Sequence, residues 1–358
     1  MKLLIDIGHP GHVHYFKNAI QILKSHGHDI LITARDKGII KNLLQSYGLS
    51  FVCRGRGKNS RLGKLAYMFK TDMKMLLIAT KFKADIFLSF SSPYVAQVAY
   101  LLRKPHIAIN DTEHTDKIHS IFTYPFSTII ITPQSYQNKI GRKQIRFNNI
   151  VEGLYLHKNY FTPNNDVISL LKLGDYTEFV LLRFVSWNAH HDIGQSGINI
   201  ELKRELIKIL SNKYKVLISS EGKLDDEFID YQIDIPPYRM HDVIYHASLF
   251  IGESGTMASE SAFLGTPAVY INSLPLMCYL KLEKEAGILE YFPSSDGVLN
   301  YIKKLIHTPN VKEQSRANAS KMKKNFIDPT AFLTWFIESY PQSEKTMKAN
   351  SDYQNRFK

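Results

Sequence analysis

The chain has 358 residues, a formal net charge of +12, 44% apolar residues and 22% charged residues. This length exceeds one ordinary core and predicts two domains of a soluble globular protein, and no apolar run approaches the roughly 20 residues that span a bilayer. The two cysteines, Cys53 and Cys278, have no paired spacing, which argues against a disulfide framework or a zinc site. The positive charge predicts an anionic partner: nucleic acid, anionic lipid or nucleotide phosphate.

The first half of the chain alternates apolar strands with helical patterns. The strand Leu3–Ile7 precedes a helix whose apolar residues recur at intervals of three and four, and Gly27-His28 ends that helix. Further strands are predicted at Asp29–Ala34, Leu49–Cys53, Ile86–Phe90, Ile107–Asn110 and Ile129–Thr132. This alternation predicts a parallel sheet covered by helices on both faces, with ligands at the carboxyl ends of its strands.

The alternation pauses near residues 148–163, where we place a linker, and then resumes. Strands are predicted at Phe179–Phe184, Lys215–Ser219, Leu249–Ile251 and Ala268–Ile271, and a final helix, Thr330–Tyr340, is expected to cross back onto the first domain. We predict an N-terminal domain over 1–155, a C-terminal domain over 156–340 and a frayed polar tail over 341–358. Because the chain opens on a strand without a signal-peptide pattern, we expect a cytoplasmic protein.

Two loops of glycine and small or polar residues stand at strand-to-helix junctions, one in each half. The first spans Gly8 to His14 and the second spans Gly252 to Met257. A helix that starts in such a loop presents unpaired backbone N–H groups and the positive end of its dipole. We therefore expect the two domains to face each other across a cleft that holds an anionic ligand.

The first loop lacks the Gly-x-Gly-x-x-Gly spacing of dinucleotide-binding folds, which argues against NAD or FAD. Its sequence Gly8-His9-Pro10-Gly11-His12, with Gly27-His28 after the helix, resembles the opening of the N-acetylglucosaminyltransferase that completes lipid II. The match is partial, because that family begins with Gly-Gly-Thr-Gly-Gly-His. The resemblance implies an acceptor-side loop in which His12 faces the acceptor, and this loop contains Gly8, His9, Gly11 and His14.

The second loop continues into a helix with the sequence Ser254-Gly255-Thr256-Met257-Ala258-Ser259-Glu260, followed by Leu264-Gly265-Thr266-Pro267. This segment is similar to the donor-binding segment of GT-B glycosyltransferases and equally to that of UDP-N-acetylglucosamine 2-epimerases. The resemblance implies that the helix start cradles a nucleotide diphosphate and that Glu260 binds the ribose. A carboxylate accepts both hydroxyls of a cis-diol through charge-assisted hydrogen bonds.

Other candidate residues also stand in loops after predicted strands. On the donor side these are Arg183, Trp187 and Arg239, of which Arg239 lies in a segment that resembles the loop over the nucleotide base. Asp111 and Glu113 stand at a strand end where the epimerases place catalytic acids. Each position also has a structural interpretation: a plain surface loop around Trp187, an Asx turn with a helix cap at Asp111, and a helix cap at Asp242.

Taken together, the chain is identified as a member of a glycosyltransferase-like family, domain of unknown function family 354, within the GT-B superfamily. The resemblance implies two Rossmann-like domains. We predict an enzyme that transfers a sugar from a nucleotide-sugar, such as a UDP-sugar, to a polysaccharide or cell-envelope acceptor without a metal or other cofactor. His12 is the leading candidate for the base, since histidine titrates near neutral pH.

Two other functions remain open. The first is a UDP-sugar 2-epimerase or hydrolase that uses Asp111, Glu113 and a histidine. The second is a non-catalytic polyanion-binding protein, although nucleic acid is not expected because no recognised nucleic-acid motif is present. A metal site at the first loop is not expected, because no cysteine or carboxylate completes the set of histidines.

A basic stretch follows the third predicted strand. It predicts either peripheral contact with anionic lipid on the inner face of the membrane, where a lipid-linked acceptor would reside, or a solvated rim. Its residues are Arg54, Arg56, Lys58, Arg61 and Lys64.

Overall fold

A computed structural model describes residues 1–56, 61–185 and 198–358, without the side chains of residues 61–66. The chain divides into two compact units: unit 1 contains Met1–Tyr160 and Asn325–Lys358, and unit 2 contains Phe161–Lys324. Each unit is built on a parallel sheet whose strands alternate with helices. The prediction of an α/β protein with two Rossmann-like domains is confirmed. The sequence places the domain boundary a few residues earlier, and the compact units divide after Tyr160.

Unit 1 begins with the longest run of strand–helix alternation. Its elements are β1 Lys2–Ile7, α1 Pro10–Ser25, β2 Asp29–Arg35, α2 Gly38–Ser46, β3 Val52–Gly55, α3 Arg61–Phe82, β4 Ile86–Phe90, α4 Pro93–Leu101, β5 His106–Ile109, α5 Asp116–Phe122, β6 Ile129–Pro133, β7 Gln144–Phe147 and α6 Gly153–Leu156. Within the described residues these strands form a seven-stranded sheet in the order β3-β2-β1-β4-β5-β6-β7, and all neighbours are parallel.

The centre of this sheet is the apolar strand β1. Ile5 pairs with Ile32 of β2 on one side and with Leu88 of β4 on the other, and all three side chains are buried. A continuous apolar run is typical of a parallel strand covered on both faces. Right-handed crossovers place α1 and α2 on one face and α3, α4 and α5 on the other. The chain therefore leaves β1 and β4 in opposite directions, which makes the carboxyl ends of these two strands the switch point of unit 1.

Unit 2 repeats the architecture with fewer strands. Its elements are α7 Val167–Leu170, β8 Phe179–Phe184, α8 Ile200–Leu210, β9 Lys215–Ser220, α9 Met240–His246, β10 Leu249–Gly252, α10 Gly255–Leu264, β11 Ala268–Ile271, α11 Cys278–Glu285, β12 Leu289–Phe292, α12 Val298–His307 and α13 Val311–Lys323. In the part of unit 2 that is described, five parallel strands run in the order β12-β11-β10-β8-β9. The switch point lies between β8 and β10.

The C-terminal segment returns to unit 1 and is ordered. It contains α14 Pro329–Glu338, α15 Gln342–Ala349 and a 3₁₀ turn at Ser351–Phe357, and α14 packs against α1 and α6. The Trp335 ring lies 5.0 Å from that of Tyr353 and 5.4 Å from that of Phe357. The expectation of a frayed tail after residue 341 is therefore wrong, because these aromatic rings bury apolar surface that the polar residues around them conceal in the sequence.

Candidate functional site

The second glycine loop stands at the switch point of unit 2, directly after β10. Ser254 is the N-cap of α10, and its hydroxyl accepts a hydrogen bond from the backbone N–H of Met257 at 3.4 Å. The first N–H groups of a helix have no acceptor within the helix, and those of Gly255 and Thr256 stand at this position. Ser254, Gly255 and Thr256 are partly accessible, whereas Met257 is buried. The loop therefore combines backbone donors with a positive helix end, which suits a phosphate.

Glu260 lies on the buried side of α10. Only 5% of its surface is accessible, and its carboxylate is 3.0 Å from Nε2 of His241, which is also buried. His241 comes from α9, so the pair joins the two helices that flank β10. Glu260 as a ribose ligand stays a prediction of the sequence, which gave no role to His241, the histidine that contacts its carboxylate.

The two arginines predicted to bind the donor differ in their surroundings. Arg239 donates from Nε to Asp242 at 2.6 Å, and its Nη2 is buried without a hydrogen-bond partner among the described residues. Arg183 donates from Nη1 to Ser219 and from Nη2 to Glu221, both at 2.7 Å. Arg239 therefore retains a donor for a ligand. The Nε of Arg183 is likewise buried without a hydrogen-bond partner among the described residues, and the donor-binding role of both arginines stays a prediction.

Glu253 is a buried carboxylate within the second loop, and the sequence gave it no role. The side chain of Glu253 accepts the backbone N–H of Val185 at 2.8 Å and that of Ile198 at 2.6 Å. Val185 and Ile198 stand directly before and after residues 186–197. Glu253 therefore joins the two described parts of the chain on either side of them. The signal in the sequence is a charged residue placed directly after an apolar strand.

The first loop stands at the switch point of unit 1, above a buried ion pair. Asp6 is completely buried and accepts hydrogen bonds from Thr33 at 2.9 Å, from Arg54 Nε at 2.9 Å and from Ser92 at 2.7 Å. The Arg54 guanidinium also lies 4.6 Å from the centre of the Tyr94 ring. Arg54 is therefore part of the core, and the prediction that it belongs to a basic surface stretch is wrong. A lone aspartate in an apolar strand was the signal that a buried cation must accompany it.

The two histidines of the first loop are held by backbone hydrogen bonds. Nδ1 of His9 accepts the N–H of Gly11 at 3.2 Å, which makes His9 the N-cap of α1, and Nδ1 of His12 accepts the N–H of Gly8 at 3.3 Å. Burial, the neighbouring His9 and the Arg54 guanidinium hold the pKa of His12 well below its ordinary value. His12 is thus neutral at pH 7, and a neutral ring that accepts at Nδ1 carries its proton on Nε2. This tautomer argues against the predicted role as base, because Nε2 can only donate.

His14 is not part of the first loop's surface. Its side chain is buried, with Nδ1 3.2 Å from the Tyr47 hydroxyl and its ring 5.5 Å from that of Tyr155. The prediction that His14 belongs to the acceptor-side loop is therefore corrected. His14 lies further along α1, where its side chain points into the packing between helices.

Asp111 and Glu113 follow β5, and their environments differ. Asp111 is buried, and burial raises the pKa of its carboxyl group to about 6, although the Thr112 hydroxyl donates to it at 2.6 Å. Glu113 accepts the backbone N–H of Gln137 at 2.6 Å and so joins two loops. The Asx turn considered at Asp111 is formed instead by Asn110, whose side-chain oxygen accepts the N–H of Thr112. Asp111 is the better placed of the two acids to exchange a proton near neutral pH.

Several predicted residues cannot be placed. Trp187 and Lys58 lie outside the described residues, and the side chains of Arg61 and Lys64 are not described. The described residues hold no group of three His, Cys, Asp or Glu side chains arranged to bind a metal ion. In the same part of the chain, no helix is both long enough and apolar enough to cross a membrane.

Two comparisons of the amino-acid sequence match most of the chain. The model of the family described as "Protein of unknown function (DUF354)" matches residues 1–316. The uncharacterized protein MJ0665 of Methanocaldococcus jannaschii is 25% identical over 323 residues, which cover 87% of this chain and 89% of that protein.

Two solved structures with a similar fold are named as a UDP-GlcNAc 2-epimerase and a glycosyltransferase. The UDP-GlcNAc 2-epimerase of Neisseria meningitidis, bound to UDP-GlcNAc, superimposes with a TM-score of 0.66 at 15% identity and covers 90% of this chain and 98% of its own. The glycosyltransferase SsfS6 of Streptomyces sp. SF2575, complexed with thymidine diphosphate, gives a TM-score of 0.62 at 16% identity, with coverage of 94% and 99%. At these identities the likeness establishes the fold, which is that of GT-B glycosyltransferases and UDP-GlcNAc 2-epimerases.

Proposed function

Because the chain belongs to the family described as protein of unknown function DUF354, and because its second glycine loop starts a helix at a sheet switch point, we propose that the protein is an enzyme that binds a nucleotide-sugar. The proposed reaction is transfer of the sugar from a UDP-sugar to an acceptor hydroxyl. The observation that carries the proposal is the start of α10 at Ser254–Thr256, with the buried pair Glu260–His241 on the same helix. The fold it shares with sugar-nucleotide enzymes supports the choice of ligand.

The donor is assigned to unit 2. The diphosphate receives the N–H groups of Gly255 and Thr256 and the positive end of the helix dipole. Glu260 accepts the ribose hydroxyls, and His241 fixes the orientation of that carboxylate. The buried Nη2 of Arg239, which has no partner among the described residues, supplies a further donor for the nucleotide. This arrangement balances the charge of the leaving diphosphate with protein groups.

The proton transfer is assigned to unit 1. The acceptor oxygen bonds to the anomeric carbon of the sugar as the bond from that carbon to the diphosphate oxygen breaks, and UDP leaves with the bonding electrons. The acceptor proton passes to Asp111, whose raised pKa of about 6 lets it accept a proton at neutral pH and release it again. His12 donates a hydrogen bond from Nε2 and positions the acceptor. The acceptor is a saccharide or a lipid-linked saccharide of the cell envelope, reached by peripheral contact with the membrane.

Calorimetric titration with UDP tests the donor site. Wild-type protein binds UDP, and Glu260→Ala weakens binding by about 10- to 150-fold, since loss of a hydrogen bond to a charged acceptor costs about 1.5–3 kcal/mol. Glu227→Ala is the matched control, because Glu227 is an exposed carboxylate of unit 2 that pairs with Arg204. Unchanged affinity in Glu260→Ala would make Glu260 a structural residue. A wild-type protein that binds no nucleotide would remove the proposal.

The alternative function is a UDP-sugar 2-epimerase or hydrolase, and the observation that favours it is the buried carboxyl group of Asp111. Product analysis separates the two reactions. An epimerase converts a UDP-sugar into its epimer with no second substrate, and a hydrolase releases UDP into water. A transferase releases UDP at an appreciable rate only when an acceptor is present.

A further inference from the structure

One face of unit 1 exposes a stripe of large apolar side chains along α3. Phe69, Met73 and Leu77 recur every fourth residue, so they lie on one side of the helix. Phe69 is 72% exposed, Leu77 69% and Met73 47%. The opposite side of α3 carries Met75 and other buried residues of the core. The stripe therefore takes no part in the core, which α3 contacts through its opposite side.

The next two helices on the same face of the sheet, α4 and α5, also expose large apolar side chains. α4 packs against α3, and α5 packs against α4, where the Gln97 amide donates to the carbonyl of Phe122 at 3.0 Å. The side chains of Tyr100 and Leu101 on α4 and of Ile118 and Ile121 on α5 are each 61–65% exposed. Seven of the fourteen large apolar residues exposed in the described part of the chain thus stand on three neighbouring helices. Exposed large apolar side chains gathered on neighbouring helices indicate an interaction site.

The charges on α3 and in the groove beside α4 are mainly positive, and Asp116 opens α5. The α3 sequence contains five cations, Arg61, Lys64, Lys70, Lys74 and Lys81, against a single acid, Asp72. At the end of α4, Tyr100 and Leu101 also line a groove that contains Arg103, Lys104 and Lys143 and no acidic residue. The partner must therefore offer both apolar and negative surface.

We propose that the exposed face of α3, α4 and α5, the α3–α5 face, docks on an anionic lipid surface. The apolar side chains enter the boundary between headgroups and acyl chains, and the lysines on either side meet the negative headgroups. A bilayer supplies both features over an area as broad as three helices. This docking would bring the protein to a lipid-linked acceptor; only that consequence rests on the proposed function, since the docking itself needs no activity.

Co-sedimentation with lipid vesicles tests the proposal. The wild-type protein sediments with phosphatidylcholine vesicles that contain about a third phosphatidylglycerol, and binding falls as salt rises. The triple variant Phe69→Ser, Met73→Ser, Leu77→Ser loses roughly 10-fold or more of this binding, because its apolar contribution is gone. The matched control replaces three exposed apolar residues of unit 2, Leu170→Ser, Tyr176→Ser and Ile229→Ser, and binds like wild type.

Three results would overturn the proposal. The first is a wild-type protein that stays in the supernatant with anionic vesicles or binds neutral vesicles equally well. The second is a triple variant that sediments like wild type. The third is light scattering that finds a dimer of the wild-type protein and a monomer of the triple variant, which would assign the face to a second copy of the chain. Calorimetry with UDP in the triple variant separates a failure of docking from a failure of the proposed function. The variant binds UDP like wild type, because the donor site is assigned to unit 2.

Discussion

The loops Gly8–His12 and Gly252–Met257 occupy equivalent places, each at the switch point of its own sheet, and they are held in different ways. The second loop is closely packed: a Cβ at Gly252 would lie 2.8 Å from the carbonyl oxygen of Arg183, and the carboxylate of Glu253 accepts two backbone N–H groups. The first loop is less closely packed, and the imidazoles of His9 and His12 accept its backbone N–H groups. A Cβ at Gly8 would have ordinary contacts, the nearest at 3.4 Å from Arg54 Nη2.

The difference separates two tasks. Close packing at Gly252 restricts the second loop to one geometry in which it presents its N–H groups, which suits a phosphate site. The first loop depends on His9 and His12, and burial, His9 and Arg54 hold the pKa of His12 well below its ordinary value. Titratable groups of this kind suit a region that positions and moves protons.

The largest expected effect is at the ion pair beneath the first loop. Asp6→Asn leaves the buried Arg54 without its counter-charge and lowers the free energy of unfolding by about 3–5 kcal/mol. Urea unfolding followed by Trp335 fluorescence in a Trp187→Phe background measures unit 1. The control is Asp36→Asn, which breaks the exposed Asp36–Lys41 pair and leaves the free energy of unfolding nearly unchanged. Equal effects of the two substitutions would mean that Asp6 and Arg54 do not form a buried pair in solution.

The rate of turnover distinguishes a hydrogen-bond donor from a general base at His12. His12→Ala lowers the rate of UDP release with acceptor by about 100-fold without a change in UDP affinity. His12→Gln keeps an N–H donor and recovers most of the rate if His12 donates from Nε2, as the hydrogen bond from Gly8 indicates. Asp111→Asn lowers the rate at least as much as His12→Ala. If His12→Gln is as slow as His12→Ala while Asp111→Asn is nearly normal, His12 is the base.

The glycines at the two switch points form a matched pair. Gly252→Ala forces its new methyl group into Arg183 and lowers the free energy of unfolding by about 1–3 kcal/mol, because the Cβ and the carbonyl oxygen of Arg183 move only with the backbone. Gly8→Ala meets Arg54 and His12 at ordinary contact distances, the nearest 3.4 Å, and costs less than about 0.5 kcal/mol. Thermal unfolding of both variants measures the contrast. Similar losses in the two would contradict the view that only the second loop is fixed by close backbone packing.

The smallest expected effect is on the pH dependence of unit 1. His106 is buried between the hydroxyls of Ser89 and Ser127, and burial lowers its pKa to about 3. The unfolded chain binds this proton below about pH 6.5 and the folded chain does not, so stability falls as pH drops, by about 1–1.5 kcal/mol at pH 5.5. Asp111, with its raised pKa of about 6, contributes with the opposite sign between about pH 6 and 4.

His106→Gln checks this dependence, with Trp335 again as the reporter. The variant should lose less stability than wild type between pH 7 and pH 5.5. Parallel pH profiles for the two proteins would show that His106 is protonated alike in the folded and unfolded chains.

The local pattern of apolar residues was sufficient to predict the central strands. Ile86–Phe90 has the predicted bounds, and β1 spans Lys2–Ile7, as the apolar run at the N-terminus predicts. The edge strands β7 and β12 were missed, because four residues at a sheet edge give too short an apolar run to distinguish from a loop. The strand predicted at Leu49–Cys53 begins instead at Val52, where pairing with β2 starts.

The sequence by itself determined the two α/β units and the two loops at helix starts, since strand and helix periodicity and glycine-rich junctions are properties of neighbouring residues. Tertiary structure alone decided which charged groups are buried and what holds them. Asp6 meets Arg54 across 48 positions in the chain, and Glu260 meets His241 across 19. Burial, tautomer and pKa depend on atoms that the fold brings together from distant segments, and no local pattern records them.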